Sequence, residues 1–225
     1  MNTMETNVDL FSAIHNGIRG LLYHTAGQLQ TTRWSNPDDA RAALDQLAYA
    51  LELLHEHAQH EDDLIFPAIE RVAPGVSDEA EAQHQQIDAK QAELQQLADH
   101  LRQETDPARC RAGVQALNRA FTDFMALYLQ HMNTEERSML ALSQERLTPA
   151  ELLAVRASVQ ANMTPERYRE WLRWMLPAQS LDELVPLFRQ VRGHAPALVA
   201  EQFMTIGQSA LEPTRWEKLL SELAA

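Results

Sequence analysis

Four long segments of the chain repeat apolar residues at steps of three and four, while turn-forming residues are confined to the short gaps between them. That pattern admits few folds. The first segment runs from about Val8 to Gln30, with Val8, Phe11, Ile18 and Leu22 on one face. The second opens at Ser35-Asn36-Pro37 and carries Leu44, Leu47, Leu51, Leu54, Ala58 and Ile65 to about Val72, where Pro74-Gly75 stops it. Pro67 is expected to kink its last turns. Ser77, read as an N-cap ahead of Asp78 and Glu79, starts the third, which ends near Glu104. The fourth begins at Asp106-Pro107 and is the most regular, with Val114, Leu117, Phe121, Phe124, Tyr128, His131, Glu135 and Leu142 on one stripe. Four such helices with short connections predict an all-α chain whose residues 1–147 form an antiparallel up-and-down four-helix bundle.

Composition supports the same class. The 225 residues include 63 Ala plus Leu against 15 Val plus Ile, and only 7 Gly, too few for the turns of a many-stranded sandwich or barrel. Residues 148–225 are punctuated more finely, with helix starts at Thr148-Pro149, Thr164-Pro165, Ser180, Ala195-Pro196 and Glu212-Pro213. Thr148 with Glu151, and Ser180 with Glu183, have capping-box spacing. This stretch reads as a C-terminal extension of shorter helices, packed on the bundle or placed at a subunit contact, where it would serve a homodimer or a protein partner. Trp171, Trp174 and Trp216 are expected to be packing anchors.

Nineteen basic residues against 32 acidic ones give a net charge of −13, which repels phosphate backbones and anionic headgroups. Nucleic acid and membrane surfaces are therefore excluded as expected partners. No run of 18 apolar residues occurs, and Met1 to Asp9 lack the basic start and apolar run of an export signal. A single cysteine, Cys110, allows neither a disulfide nor a thiolate metal site within one chain, and a reducing cytoplasm is the expected location.

Nine histidines are the informative residues. His15 continues the inward stripe of the first helix, His57 borders that of the second, His84 lies one turn before the inward Ile87, and His131 is on the stripe of the fourth. Three of them have a carboxylate one turn later: Glu61, Asp88 and Glu135. A spacing of four puts both side chains on one helix face, about 6 Å apart along the axis, within reach of a shared ion. Buried acids without a partner cost several kcal/mol each, so a cation is the simplest way to offset four imidazoles and three carboxylates in one interior. His60, about 60° round from His57, is an alternative ligand; His55 points away, His24 lies about half a rotation round from His15 and is not expected to be a ligand, and His100 and His194 are expected at the surface. Imidazole and carboxylate without thiolate suit iron, manganese or zinc, and this many donors match two carboxylate-bridged ions better than one four-coordinate structural zinc.

The ordered set of His15-Asn16-Gly17-Ile18-Arg19, HAQHEDDLIFP from His57 to Pro67, HQQID from His84 to Asp88, and HMNTEE from His131 to Glu136 resembles the haemerythrin-like (HHE cation-binding) domain family over residues 8 to 145. The resemblance implies a non-haem di-iron centre. His15 and His57 would bind one iron, His84 and His131 the other, and Glu61 and Glu135 would bridge them. At Asp88 the family's oxygen carriers have a second histidine. Direct binding by Asp88 would favour the ferric state, and a side chain too short to reach would leave that place to water; neither matches simple reversible oxygen carriage. The expected function is a di-iron protein that binds, senses or reacts with oxygen, peroxide or nitric oxide. The alternative is a metal-stabilised regulatory or interaction protein, an iron or oxygen sensor whose C-terminal helices bind a partner. No substrate pocket or reductase partner is legible, so no catalytic residue is assigned.

Overall fold

The computed structural model describes residues 8–224, which are mostly helical, with short connections, and contain no strand. Residues 1–7, on which the absence of an export signal was partly read, lie outside the described residues. The chain groups into two compact units, one of residues 8–11 with Leu21–Val159, the other of Ser12–Gly20 with the residues from Gln160 onward. The fold class is as expected: an antiparallel four-helix bundle with further helices C-terminal to it.

In the first unit the bundle is made by α1 (Ser12–Thr31) from Leu21 onward, α2 (Pro37–His60), α4 (Asp78–Gln103) and α5 (Pro107–Glu135), with the short α3 (Phe66–Glu70) after α2. α6 (Ala141–Arg146) and α7 (Pro149–Ala161) follow α5. The cap reading of the sequence holds at two starts: Asn36 accepts from the N–H groups of Asp38 and Asp39, and Asp106 from those of Ala108 and Arg109. The inward stripes hold as well, since Leu44, Leu47, Leu51, Leu54 and Ala58 of α2 and Leu117, Phe121, Phe124 and Tyr128 of α5 are buried. Each such leucine or phenylalanine side chain contributes about 1.5–3 kcal/mol by leaving water. Two polar bonds fix α2 against its neighbours: Tyr128 Oη donates to the Leu54 carbonyl at 3.3 Å, and Arg102 Nη2 donates to that of Leu44 at 3.2 Å.

Three expectations are corrected. α1 begins at Ser12 rather than near Val8, because the Asp9 carboxylate accepts the Phe11 N–H at 2.8 Å and turns the chain before the helix. Val8 and Phe11 are nonetheless buried, against Ile65, Phe66, Ile69, Met139, Leu147 and Leu152. Ser77 does not cap α4 with its side chain. Its hydroxyl lies 2.7 Å from both the Glu70 and the Glu81 carboxylates and donates its one proton to Glu70, which also accepts the Gly75 and Ser77 N–H groups and clamps the connection. Gly75 takes the left-handed φ of 85° that this turn requires. Finally, Pro67 is preceded by a π-helical turn, Glu61–Ile65, in which the Phe66 N–H bonds the Glu61 carbonyl. Proline has no N–H to give the carbonyl four residues back, and the widened turn takes the place of a simple kink.

The second unit contains residues 12–20 of α1 with α8 (Pro165–Ala178), α9 (Leu181–His194), α10 (Ala197–Ala210) and α11 (Pro213–Ala224). Its core joins Leu172, Leu176, Leu184, Phe188, Phe203, Leu211 and Leu219. Gly207 lies so close to Phe188 that a β-carbon would come within 2.6 Å of the ring, which is why α10 carries no side chain there. Trp171 is buried and Trp216 meets Phe188 edge-on, both as packing anchors. Ser180 and Glu183 form the expected reciprocal cap of α9. No helix among the described residues is long and apolar enough to cross a membrane.

Candidate metal centre

α2 and α5 each end in the same sequence of events. A buried histidine, His57 or His131, is followed four residues later by a fully buried glutamate, Glu61 or Glu135, and the helix then widens into a π turn, Glu61–Ile65 or Glu136–Leu140. π turns recur at functional sites because they re-aim side chains without ending the helix. The second has no proline to account for it.

These segments and α4 bring donor atoms of Glu61, His84, His131 and Glu135 to within 4.8 Å of one another, all four residues buried. Glu61 faces two histidines at once, with Oε1 3.1 Å from His57 Nε2 and Oε2 3.5 Å from His84 Nε2. Glu135 Oε1 lies 3.4 Å from His131 Nε2. Phe66 stacks on His84 with ring centres 5.5 Å apart, and Tyr128 presents its edge to His131 at 5.7 Å, so apolar walls hold both imidazoles. Burial, with the Glu61 and Glu135 charges adding to it, pushes the Tyr128 phenol well above its usual range, and its proton stays on.

The hydrogen bonds behind the histidines decide which nitrogens face the cluster. His84 Nδ1 is 2.8 Å from the Asp62 carboxylate, which accepts only, so that nitrogen carries the proton. His131 Nδ1 is 3.2 Å from Gln83 Oε1, and the Gln83 amide nitrogen donates to Glu79 and Thr134, which fixes its oxygen toward the ring. Both Nε2 lone pairs therefore point inward, and they lie only 3.0 Å apart. Two lone pairs at that distance require a cation between or beside them. Without a metal ion a proton plays this role: burial alone would lower the His84 pKa, but Glu61 and Asp62 outweigh it and hold it above the ordinary value. Glu135 is pushed well above the usual carboxylate range, first by burial and then by the Glu61 charge. Two imidazole nitrogens and two carboxylates, buried and lacking thiolate, fit a first-row metal ion.

Of the residues singled out in the sequence, His57, Glu61, His84, His131 and Glu135 meet in this interior. His15 is fully buried on α1, within residues 12–20. Asp88 is not brought to the cluster; its side chain is 61% exposed and its carboxylate is 3.9 Å from His55 Nδ1. His60 is half-buried and contributes to no donor group among the described residues. His100 and His194 are exposed, as expected, and so is His24. Two residues escaped the sequence reading. Asp62, directly after Glu61, looks like any surface acid and nothing in the spacing marks it. Gln83 is a polar residue on the buried stripe, three after Ala80 and four before Ile87, and that misplacement was its signal.

The Hemerythrin HHE cation binding domain matches residues 6–143 of the chain. No curated protein matches it.

Proposed function

Because the chain belongs to the haemerythrin HHE cation-binding family, we propose that it is a non-haem di-iron protein that binds, senses or reacts with oxygen, peroxide or nitric oxide. One observation carries the reading: Glu61 turns one oxygen to His57 and the other to His84, the arrangement of a carboxylate shared by two ions. His84, His131 and Glu135 are the proposed donors on one side of it. His15 and His57 are proposed for the other from the family pattern, each being a buried imidazole. When bound, two such ions supply redox electrons and an exchangeable coordination place. The protein's part is to keep the site dry, to fix both imidazole tautomers through Asp62 and Gln83, and to leave Asp88 out of it. Four protein donors on the His84 side, the Glu61 oxygen included, leave room on a six-coordinate ion for a small ligand, which is the support for a diatomic or peroxide partner. A cytoplasmic location is proposed on the single, unpaired cysteine.

Iron supplied during aerobic purification is expected to reach two atoms per chain by metal analysis, with a near-ultraviolet absorption that shifts when azide is added. Zinc alone, or a folded chain that takes up no metal, overturns the reading. Anaerobic reduction and separate exposure to oxygen, peroxide and nitric oxide then divide its branches. A stable adduct assigns carriage or sensing, rapid turnover assigns catalysis, and spectra unmoved by all three assign a structural site.

A second reading, that the C-terminal helices bind a partner or a second copy, is supported by Leu198 and Val199, exposed on α10. Replacing both with Glu should abolish self-association or partner capture at unchanged iron content; unchanged association removes this reading.

A further inference from the structure

We propose that Asp62 and Gln83 are positioning residues that make His84 and His131 unequal donors, with His84 the stronger because its backing group is charged. The inference rests on the metal-centre reading. His84 Nδ1 meets a carboxylate at 2.8 Å, whereas His131 Nδ1 meets a neutral amide oxygen at 3.2 Å. A carboxylate behind a ligating imidazole fixes its tautomer and raises the basicity of its other nitrogen; an amide oxygen fixes the tautomer with much less effect on basicity. The two arrangements are also built differently. Gln83 is 9% exposed and held by Glu79 at 3.2 Å and Thr134 at 3.4 Å, so its oxygen has one orientation. Asp62 is 45% exposed on the side-chain level and follows the bridging Glu61 in the π turn, which aims it at the back of a histidine on a different helix.

This gives the π turn a function in the site. Glu61 and Asp62 are consecutive, about 100° apart in a regular helix, yet both address His84: Glu61 from the Nε2 side at 3.5 Å and Asp62 at Nδ1 at 2.8 Å. His84 therefore lies between two carboxylates, and the ion it shares with His131 is expected to favour the higher oxidation state more than it would with a neutral group behind His84.

The test uses the full chain, with iron(II) affinity measured anaerobically by chelator competition and the midpoint potential of the bound iron measured by spectroelectrochemistry. D62A is expected to weaken iron binding by about 10–100-fold. D62N, which keeps the acceptor oxygen but loses the charge, should recover much of the affinity while its midpoint potential rises above wild type. Q83A should cost less affinity than D62A and leave the potential near wild type. The inference is overturned if D62A binds iron like wild type, if D62N leaves the potential unmoved, or if Q83A matches D62A in both readouts. Wild-type chain that takes up no iron is a different result, and it removes the metal-centre reading itself. Far-UV circular dichroism of each variant before iron is added separates loss of fold from loss of affinity; should Q83A not fold, the D62N potential alone decides.

Discussion

α5 and α4 each carry a histidine with an acid four residues on, and they treat that acid in opposite ways. Glu135 is fully buried beside His131, whereas Asp88 stands in solvent beyond His84. The difference lies in where each histidine sits on its stripe. Four residues advance a side chain by about 40°. Along α5 the stripe of Leu117, Phe124 and Tyr128 has His131 about 40° short of its centre, so the next step carries Glu135 onto it. Along α4 the stripe of Ala80, Ile87, Leu94 and Ala98 already has His84 about 55° past its centre, so Asp88 lands about 95° away. α2 behaves like α5, with His57 short of the centre and Glu61 close to it. The i,i+4 spacing is thus equal in all three helices, and the phase of the histidine relative to the buried stripe decides whether the acid is buried beside it or left in solvent.

The strongest way to break this comparison is to remove the acids in turn. E61Q and E135Q are each expected to lower iron affinity by 100-fold or more, because each removes a charged donor from a buried site whose other members stay. D88A is expected to change it by less than threefold. Chelator competition on the three variants measures this directly, and a D88A loss comparable to that of E135Q would mean that Asp88 reaches the ion after all. H84A should resemble E135Q rather than D88A, since His84 and not its acid is the α4 donor.

A second effect sharpens the contrast through stability. Glu135 has its carboxyl pKa raised well above the ordinary value by burial and by Glu61. A folded-state value above the unfolded one means that folding stability from this group is complete below the unfolded pKa of about 4.3 and is lost as pH rises through the folded value. Metal-free wild type should therefore lose thermal stability on going from mildly acidic to mildly alkaline pH. Metal-free E135Q should lose less and melt higher than wild type at the alkaline end, although it no longer holds iron. Iron uptake by wild type should release protons and tighten as pH rises. Thermal melts of both proteins with and without a chelator, across that pH range, check all of these; an E135Q melt below wild type at alkaline pH would contradict the burial argument.

The four bundle helices could be read from the sequence because apolar stripes of period 3.6 leave a clear trace, and because Asn36 and Asp106 do what such residues do at helix starts. The buried histidines that meet in the first unit were legible for the same reason, since polar residues on buried stripes are conspicuous. Asp88 was misjudged as a neighbour of the site because a spacing of four fixes the angle between two side chains but not the angle of the pair to the core. The π turn after Glu61 had a partial signal in Pro67, whereas the one after Glu135 involves Glu136-Arg137-Ser138-Met139-Leu140, a run that suits an ordinary helix. Asp62 was not legible at all, since its role depends on a residue of another helix. The unsupported cap at Ser77 shows the same limit: the right residue type stands at the helix start, but Glu70 outcompetes the backbone for its hydroxyl.

The smallest expected effect concerns what sets the start, and so the phase, of α4. Glu70 accepts the N–H groups of Gly75 and Ser77 and the Ser77 hydroxyl, and these hydrogen bonds, the Ser77 N–H foremost, hold its carboxyl pKa below the ordinary value. A depressed folded-state value means that the stabilisation is present above the unfolded pKa of about 4.3 and disappears as pH falls through the folded one. Glu151 provides a reference within the same unit. It is held to about 2 by the Thr148 N–H first and by Arg71, which bonds it from the end of α3 at 2.9 Å. E70Q and E151Q should each lower the thermal midpoint slightly at neutral pH, both being surface groups. The E151Q deficit should persist until the pH approaches 2, while that of E70Q closes as soon as the wild-type Glu70 is protonated. Only E70Q touches the connection that fixes how α4 is turned, so only E70Q is expected to add a measurable loss of iron affinity at neutral pH. Equal affinities for E70Q and E151Q would show that the phase of α4 is set by the packing of Ala80 and Ile87 alone.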